Sequence, residues 1–198
     1  MKKFILILII PFLSFGQSTN YSISFDNCNN DVDLPGPHIN FGDILDMPSS
    51  FSICTWVYSN CNEHGAIISK AYGGQGFQLA LDKNLNNSGG GFSFGVSGEN
   101  ITTTSIYQNE WVFLSAVFDS GDSLKLYVNG NLVSSLPVQI NGIIDNNFPF
   151  LIGSMPSSNN VDEVEWSFSG KIDEVSVWDT ALSKEDIENF MICPPIGS

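Results

Sequence analysis

Short apolar stretches with the two-residue period of β-strands recur about every 8 to 15 residues along this chain, and each is bounded by Gly, Asn, Asp or Pro. Apolar and polar residues alternate strictly in residues 77–81 and 124–128, which predicts strands with one face toward solvent. Asn129 and Gly130 follow the second stretch and supply the positive φ angles of a two-residue hairpin turn. The predicted strands are residues 21–25, 38–41, 51–58, 66–70, 77–81, 92–96, 102–106, 111–118, 124–128, 131–136, 150–153 and 170–178.

One stretch near the carboxyl terminus has a helical pattern instead. Ser183 can cap it, Asp186 follows three residues later, and Ile187, Phe190 and Met191 form an apolar edge. Strands without intervening helices pair in antiparallel fashion, and so many strands must stack as two sheets or close into a barrel. The sequence therefore predicts an all-β fold, a two-sheet antiparallel β-sandwich with one short C-terminal helix.

The first 16 residues have the pattern of a secretory signal peptide. Two lysines precede an apolar run at 4–13, and the small residues Ser14 and Gly16 follow. A membrane anchor is the alternative, but a spanning helix needs about 20 apolar residues. We therefore expect cleavage after Gly16, a single mature domain of residues 17–198 without a membrane segment, and a secreted or cell-surface protein.

The charge of the chain argues against two classes of partner. It carries 7 lysines and no arginine against 21 acidic residues, a formal net charge of −14. Nucleic acids and anionic lipid surfaces both attract dense positive charge, and phosphate recognition relies heavily on arginine. We expect neither nucleic acid nor membrane as a partner.

Four cysteines, Cys28, Cys54, Cys61 and Cys193, have spacings that match no zinc site, and an oxidising compartment allows them two disulfides. Three pairings are possible. Two loops expected at the same end of a sheet bring Cys28 toward Cys61, which favours the pairs Cys28–Cys61 and Cys54–Cys193. A buried free thiol at Cys54 is the alternative.

Four segments of the chain carry more specific motifs. They are ISFDN at 23–27, FSICTWV at 51–57, WVFLSAVFD at 111–119 with LYVNG at 126–130, and FSGKIDEVSVW at 168–178 with ALS at 181–183. In this order they resemble the laminin-G-like, concanavalin A-like jelly-roll domains of secreted bacterial proteins. Asn27 departs from the usual glycine. The Cys-Pro-Pro ending leads into a further segment in many relatives, so further domains of a longer chain are an open alternative.

The resemblance implies a concanavalin A-like jelly roll whose first and last strands are neighbours. Several family members carry a structural calcium near these segments, and the motif match transfers Asp26 and Asp173 as candidate Ca²⁺ ligands. Adjacent half-buried carboxylates are costly unless a hard cation neutralises them. The alternative is that Asp173 accepts hydrogen bonds from turn amides and Asp26 caps a loop.

Catalytic patterns are weak in this sequence. The hydrolases of the superfamily place two carboxylates on one strand as Glu-x-Asp-x-Glu, and neither residues 162–165 nor Asp173-Glu174 has that spacing. Residues 91–95 match a nucleophile-elbow motif but lie in an alternating strand with no following helix. We therefore expect a protein without enzymatic activity, with a degenerate glycoside hydrolase or lyase as an alternative.

Sugar recognition needs an aromatic platform together with polar groups for hydroxyls. Trp56, Trp111 and Trp178 lie within signature strands and are predicted to pack in the core. Trp166, Tyr72, Asn86 and Asn160 flank predicted loops and are candidate ligand contacts.

The sequence as a whole predicts an extracellular, calcium-stabilised, non-catalytic binding module for a glycan or glycoprotein, with a role in recognition or adhesion. A structural or adhesive module of a longer surface protein is the alternative.

Overall fold

The computed structural model describes residues 4–5, 22–25, 36–47, 49–60, 64–82, 91–105, 107–157 and 160–192. In chain order the described elements are β1 (Phe4–Ile5), β2 (Ile23–Phe25), β3 (Ile39–Asn40), β4 (Phe51–Ser59), β5 (Gly65–Tyr72), β6 (Gln75–Asp82), β7 (Gly91–Val96), β8 (Glu99–Thr102), β9 (Trp111–Asp119), β10 (Ser123–Val128), β11 (Asn131–Pro137), β12 (Leu151–Ile152), β13 (Met155–Ser157), β14 (Asn160–Glu165), β15 (Gly170–Trp178) and α1 (Lys184–Ile192).

Two antiparallel sheets form a sandwich, as predicted. The first sheet has the order β1-β15-β4-β9-β10-β11, and β2 also pairs with β15. The second sheet has the order β3-β12-β5-β6-β7-β8, and β13 and β14 form a separate hairpin. Phe25 lies opposite Gly170 and Ile23 opposite Ile172, so the expected pairing of the first predicted strand with the penultimate element is confirmed.

The hydrophobic core lies between the two sheets and is rich in phenylalanine. Phe51 contacts Phe118 on the neighbouring strand, with ring centroids 5.6 Å apart. Across the sandwich Phe51 contacts Phe77 at 4.8 Å and Phe94 at 6.2 Å. None of these four side chains is more than 1% exposed. Each contributes about 1.5–3 kcal/mol on burial, so this cluster holds the two sheets together.

The helix α1 covers one half of the outer face of the first sheet. The predicted cap is confirmed, because Ser183 Oγ accepts the Asp186 N–H at 3.2 Å and the Asp186 carboxylate accepts the Ser183 N–H at 3.1 Å. Phe190 stacks on Trp178 with ring centroids 4.3 Å apart, and Ile187 is fully buried. No helix in the described part of the chain has the length and apolarity that crossing a bilayer requires.

A buried lysine joins two loops to the second sheet. Lys70, on β5, is 2% exposed, and its Nζ lies 2.6 Å from Asp43 and 3.2 Å from Asp46. The same ammonium donates hydrogen bonds to the carbonyl oxygens of Asn146 at 3.2 Å and Phe148 at 2.8 Å. Because a buried ammonium is stable only when its donors are satisfied, these contacts fix both loops against β5.

Several predicted elements differ from the structure. The sequence predicted no strand between residues 153 and 170, yet β14 pairs there with β13, with Glu165 opposite Met155. The strand predicted at 102–106 is β8 and ends at Thr102. The Asn129-Gly130 hairpin is confirmed, with φ angles of 50° and 74°.

Two tryptophans lie outside the core to which the sequence assigned them. Trp111 is 39% exposed on the outer face of the first sheet, where Trp56 is half-buried. The prediction of core packing is wrong for Trp111, whereas Trp56 packs at the edge of the smaller hydrophobic cluster under α1. Trp178 is buried, but it lies under α1 rather than between the sheets. The rest of β9 is buried from Val112 to Phe118, so its apolar run did not distinguish the two faces.

Cys54 is a free thiol and is fully buried under α1. The expected Cys54–Cys193 bond is therefore not formed in this structure, and the free-thiol alternative applies. Burial raises the pKa of Cys54 to about 12, although a hydrogen bond with Ser115 acts in the opposite direction. Cys28, Cys61 and Cys193 lie outside the described residues.

Candidate functional site

A groove of about 410 Å³ lies on the outer face of the second sheet and brings two predicted ligand contacts together. Tyr72 at the end of β5 and Trp166 after β14 both line it, and both are half-buried. We call it the Tyr72–Trp166 groove. Its volume falls within the range of small-ligand sites, about 300–1,000 Å³.

Neutral amide side chains form part of the groove wall. Gln78, Gly95 and Asn100 lie side by side on β6, β7 and β8. A Cβ added at Gly95 would lie 3.5 Å from Gln78 and 3.7 Å from Asn100, so the glycine keeps the space between the two amides open. Each amide carries a donor and an acceptor, which suits a ligand with many hydroxyl groups.

Two tight turns close one side of the Tyr72–Trp166 groove. The turn Gly73-Gly74 joins β5 to β6, and the turn Ser97-Gly98 joins β7 to β8. The φ angles of all four residues are positive, between 48° and 89°. Gly76 follows the first turn with a φ of 78°, and a Cβ there would collide with the carbonyl oxygen of Lys70. Glycine is therefore required at this position.

A histidine supports the Trp166 indole. His64 stacks on it with ring centroids 5.2 Å apart and an interplanar angle of 30°. His64 Nδ1 lies 2.8 Å from the carboxylate of Asp82. The carbonyl of Trp166 also accepts the Ala66 N–H at 2.7 Å. These contacts fix the backbone and ring of Trp166 against β5.

A second groove, of about 380 Å³, lies on the outer face of the first sheet, on the half that α1 leaves uncovered. Trp56, Trp111, Lys171, Asp173 and Glu174 line it. We call it the Trp56–Trp111 groove.

The aromatic rings of the Trp56–Trp111 groove are paired across strands. Trp111 lies opposite Tyr58, with ring centroids 5.7 Å apart, and Trp56 lies opposite Phe113 at 5.3 Å. Lys171 extends its ammonium over the Tyr58 ring, 5.7 Å from the centroid. Such a cation–π contact shows that this aromatic surface accommodates positive charge.

The two carboxylates of this groove lie at a β-bulge. The register between β15 and β4 shifts between Asp173 and Ser176, and Glu174 has a φ of 51°. Asp173 Oδ1 accepts the Glu174 N–H at 2.8 Å. A non-glycine residue in this backbone region costs about 1–3 kcal/mol and is concentrated at functional sites.

Burial disfavours the ionised form of both carboxylates. It raises the pKa of Asp173, while the hydrogen bond from the Glu174 N–H acts against the rise. It also raises the pKa of Glu174, the negative charge of Asp173 raises it further, and a hydrogen bond from the Trp56 indole lowers it. Ionisation of each of these carboxyl groups therefore costs more free energy here than it does in water.

The four other residues predicted to form a site differ in where, or whether, the structure describes them. Asn160 begins β14 and pairs with Ser157, and its side chain is not described. Asn86 and Asp26 lie outside the described residues. Asp173 lines the Trp56–Trp111 groove.

Sequence reasoning did not select Gln78 or Asn100 as contacts. A signal existed for Gln78, since the alternation of residues 77–81 places it on the solvent face.

The described surroundings of Asp173 fit a calcium ion poorly. Ca²⁺ takes six to eight oxygen ligands. The described residues contain no group of three or more His, Cys, Asp or Glu arranged to hold a metal. Phe25, which precedes Asp26, pairs with Gly170, and Lys171 lies between that pair and Asp173 along β15. A calcium site shared by Asp26 and Asp173 therefore stays a prediction.

Several solved structures have a fold similar to that of this chain. A heptameric SAP-like pentraxin from Limulus polyphemus is 21% identical, with a TM-score of 0.70 over 88% of this chain and 83% of that one. A putative carbohydrate binding protein from Bacteroides ovatus is 19% identical, with a TM-score of 0.66 over 84% of this chain. This chain spans 45% of the Bacteroides protein.

Toxin structures form a further group of similar folds. Botulinum neurotoxin type C, whose cell entry depends on interaction with two ganglioside molecules, is 18% identical, with a TM-score of 0.53 over 76% of this chain and 37% of that one. No curated protein sequence matches the chain. Identities this low show a shared fold alone.

The sequence itself provides the assignment to a family. Residues 29–188 match the profile of Laminin_G_3, described as the Concanavalin A-like lectin/glucanases superfamily, and the chain belongs to this family.

Proposed function

We propose that this chain is an extracellular, non-catalytic binding module that recognises a neutral glycan, free or on a glycoprotein, in the Tyr72–Trp166 groove. The observation that carries the proposal is the meeting of two aromatic side chains with a wall of neutral amides in one groove. Aromatic rings contact the apolar faces of sugar rings, while amides hydrogen-bond to hydroxyls.

The side chains of the Tyr72–Trp166 groove are held in place by their neighbours, which favours specific binding of a ligand. Tyr72 contacts the ring of Phe148 edge-on at 6.0 Å, and Trp166 stacks on His64. A preorganised site loses little side-chain entropy when a ligand binds. The two positive-φ turns hold the facing side of the groove in the same way.

The similar folds support the same class of function. The Bacteroides protein is described as carbohydrate binding and the type C neurotoxin as interacting with gangliosides. Secretion through the predicted leader, residues 1–16, would bring this chain to extracellular glycans. Adhesion, through a glycan on another cell or protein, is the corresponding biological role.

An enzymatic function is the second candidate from the sequence. Glycoside hydrolysis uses two carboxyl groups about 5–5.5 Å apart for retention and about 6.5–9.5 Å apart for inversion, on either side of the scissile bond. Asp173 and Glu174 are consecutive residues at one bulge. That arrangement favours a binding role over catalysis.

Calcium stabilisation through Asp26 and Asp173 is a separate proposal that rests on the family resemblance. Adding Ca²⁺ should raise the melting temperature, a chelator should reverse the rise, and Asp173→Asn should remove the response. A melting temperature that is indifferent to both additions would refute it.

A glycan array tests the function most directly. The purified chain should bind neutral glycans, and Trp166→Ala should weaken binding at least tenfold, which corresponds to about 1.4 kcal/mol. Gln78→Ala should reduce affinity by several fold. Leu132→Ala is the control, because it removes an exposed apolar side chain from the other sheet, outside both grooves.

Two results would contradict the proposal. One is an array without neutral glycan ligands. The other is equal loss of binding in Trp166→Ala and Leu132→Ala. Reducing-end release from a polysaccharide by the purified chain would support the enzymatic alternative instead.

A further inference from the structure

The Trp56–Trp111 groove differs from the Tyr72–Trp166 groove in how its acidic residues are placed. Glu99 and Glu165 of the Tyr72–Trp166 groove lie on different strands, whereas the two carboxylates of the Trp56–Trp111 groove are adjacent. Asp173 and Glu174 are consecutive and half-buried, and they line the cavity together with Trp56, Trp111, Lys171 and Ser22. The Tyr72–Trp166 groove lies on the other sheet, so the two do not share residues. Whatever occupies this second cavity must compensate negative charge.

A neutral ligand would destabilise the two ionised carboxylates further. Covering Asp173 and Glu174 removes water from both charges, and a neutral molecule returns no opposite charge. A cation restores the lost solvation by direct charge-assisted hydrogen bonds. The occupant favoured by charge complementarity is therefore positively charged.

The shape and lining of the groove limit the kinds of cation that it can bind. Trp111, at 39% exposure, offers a flat ring beside the carboxylates, and such rings bind the apolar face of a sugar. A metal ion would leave this aromatic surface unused and would find only two carboxylates among the described lining residues. A ligand that combines a ring with an ammonium group uses both features.

We propose that the Trp56–Trp111 groove binds a cationic amino sugar, with the sugar ring against Trp111 and the ammonium group between Asp173 and Glu174. The Trp56 indole positions Glu174 for this contact by donating a hydrogen bond to its carboxylate. Lys171 is turned toward Tyr58 and leaves the carboxylates to the ligand.

Matched probes give a direct test. A glucosamine trimer carries ammonium groups, whereas an N-acetylglucosamine trimer has the same rings without charge. Titration of the purified chain, followed by Trp fluorescence and calorimetry, should give at least tenfold tighter binding of the glucosamine trimer. The pH is set below the pKa of the sugar amine and above those of the carboxyls.

Variants of the groove should separate the contributions of the carboxylates and of Trp111 to binding. Glu174→Gln and Asp173→Asn should each weaken binding of the glucosamine trimer at least tenfold, and Trp111→Ala should weaken both trimers. Glu185→Gln is the matched control, because it removes one exposed negative charge from α1, outside both grooves. It should leave the affinity for the glucosamine trimer unchanged.

Several outcomes would overturn the proposal. Equal affinity for the two trimers would do so, as would an equal effect of Glu174→Gln and Glu185→Gln. Calcium binding that depends on Asp173 and Glu174, without binding of the amine, would assign the groove to a metal. If Glu174→Gln does not fold, Trp111→Phe and the salt dependence of binding test the proposal instead. Binding of the glucosamine trimer should weaken as ionic strength rises, because salt screens an ammonium–carboxylate contact.

Discussion

The ammonium of Lys70 lies 2.6 Å from the carboxylate of Asp43, and the lysine side chain is almost completely enclosed. Lys70→Met should lower the free energy of unfolding by about 2–4 kcal/mol, because two acidic groups and two carbonyl oxygens lose their shared donor. Denaturant unfolding measures the change.

Lys125→Met is the control for this substitution. Lys125 is partly exposed and lies 3.8 Å from Asp119 and 3.7 Å from Asp122. Surface pairs of this kind contribute about 0–1 kcal/mol. Similar losses in the two variants would contradict the structural role assigned to Lys70.

Glu174→Gln should raise the melting temperature at neutral pH. The folded-state pKa of Glu174 is raised, so its contribution to stability is present below the ordinary carboxyl range and is lost as pH rises through the raised value. Because the side chain is partly solvated, we expect a rise of no more than about 2–4 °C, the shift that 1 kcal/mol produces. The gain should disappear in acid, and a gain independent of pH would contradict the assignment.

Cys54 should resist alkylation in the native protein. Its thiol is buried and its pKa is about 12, so the reactive thiolate is scarce at neutral pH. Peptide mapping after iodoacetamide treatment should detect the label on Cys54 only when denaturant is present. Labelling of Cys54 at the rate of a free thiol in native buffer would show that α1 does not cover it. The same map establishes the pairing of Cys28, Cys61 and Cys193.

Gly76→Ala should destabilise the protein and distort the Tyr72–Trp166 groove. The added Cβ meets the Lys70 carbonyl oxygen, and the backbone has a positive φ, so a loss of about 2–3 kcal/mol is expected. Gly73→Ala is the control, since it also has a positive φ but has no atom within 4 Å of the new Cβ. Only about 1 kcal/mol should be lost there. Thermal unfolding that ranks the two variants in the opposite order would contradict this account.

The sequence predicted the sandwich well because its turns are encoded locally. Asn129 and Gly130 adopt the positive φ angles that their residue types favour, and Ser183 with Asp186 forms the predicted helix cap. The pairing of β2 with β15 was expected from the family resemblance rather than from local pattern.

The sequence could not predict which outer surfaces stay exposed. Both faces of β9 are apolar, because α1 covers part of one face while the core covers the other, so Trp111 was assigned to the wrong environment. The acidic residues of β14 have low strand propensity, and only pairing with β13 makes that segment extended. The two grooves result from such long-range packing.

The Tyr72–Trp166 and Trp56–Trp111 grooves open from opposite sheets, with the phenylalanine core between them. Filling one cannot sterically block the other. A single chain of this shape could therefore crosslink two polymers, one uncharged and one polycationic, and its apparent avidity in a mixed matrix would exceed that of either contact alone.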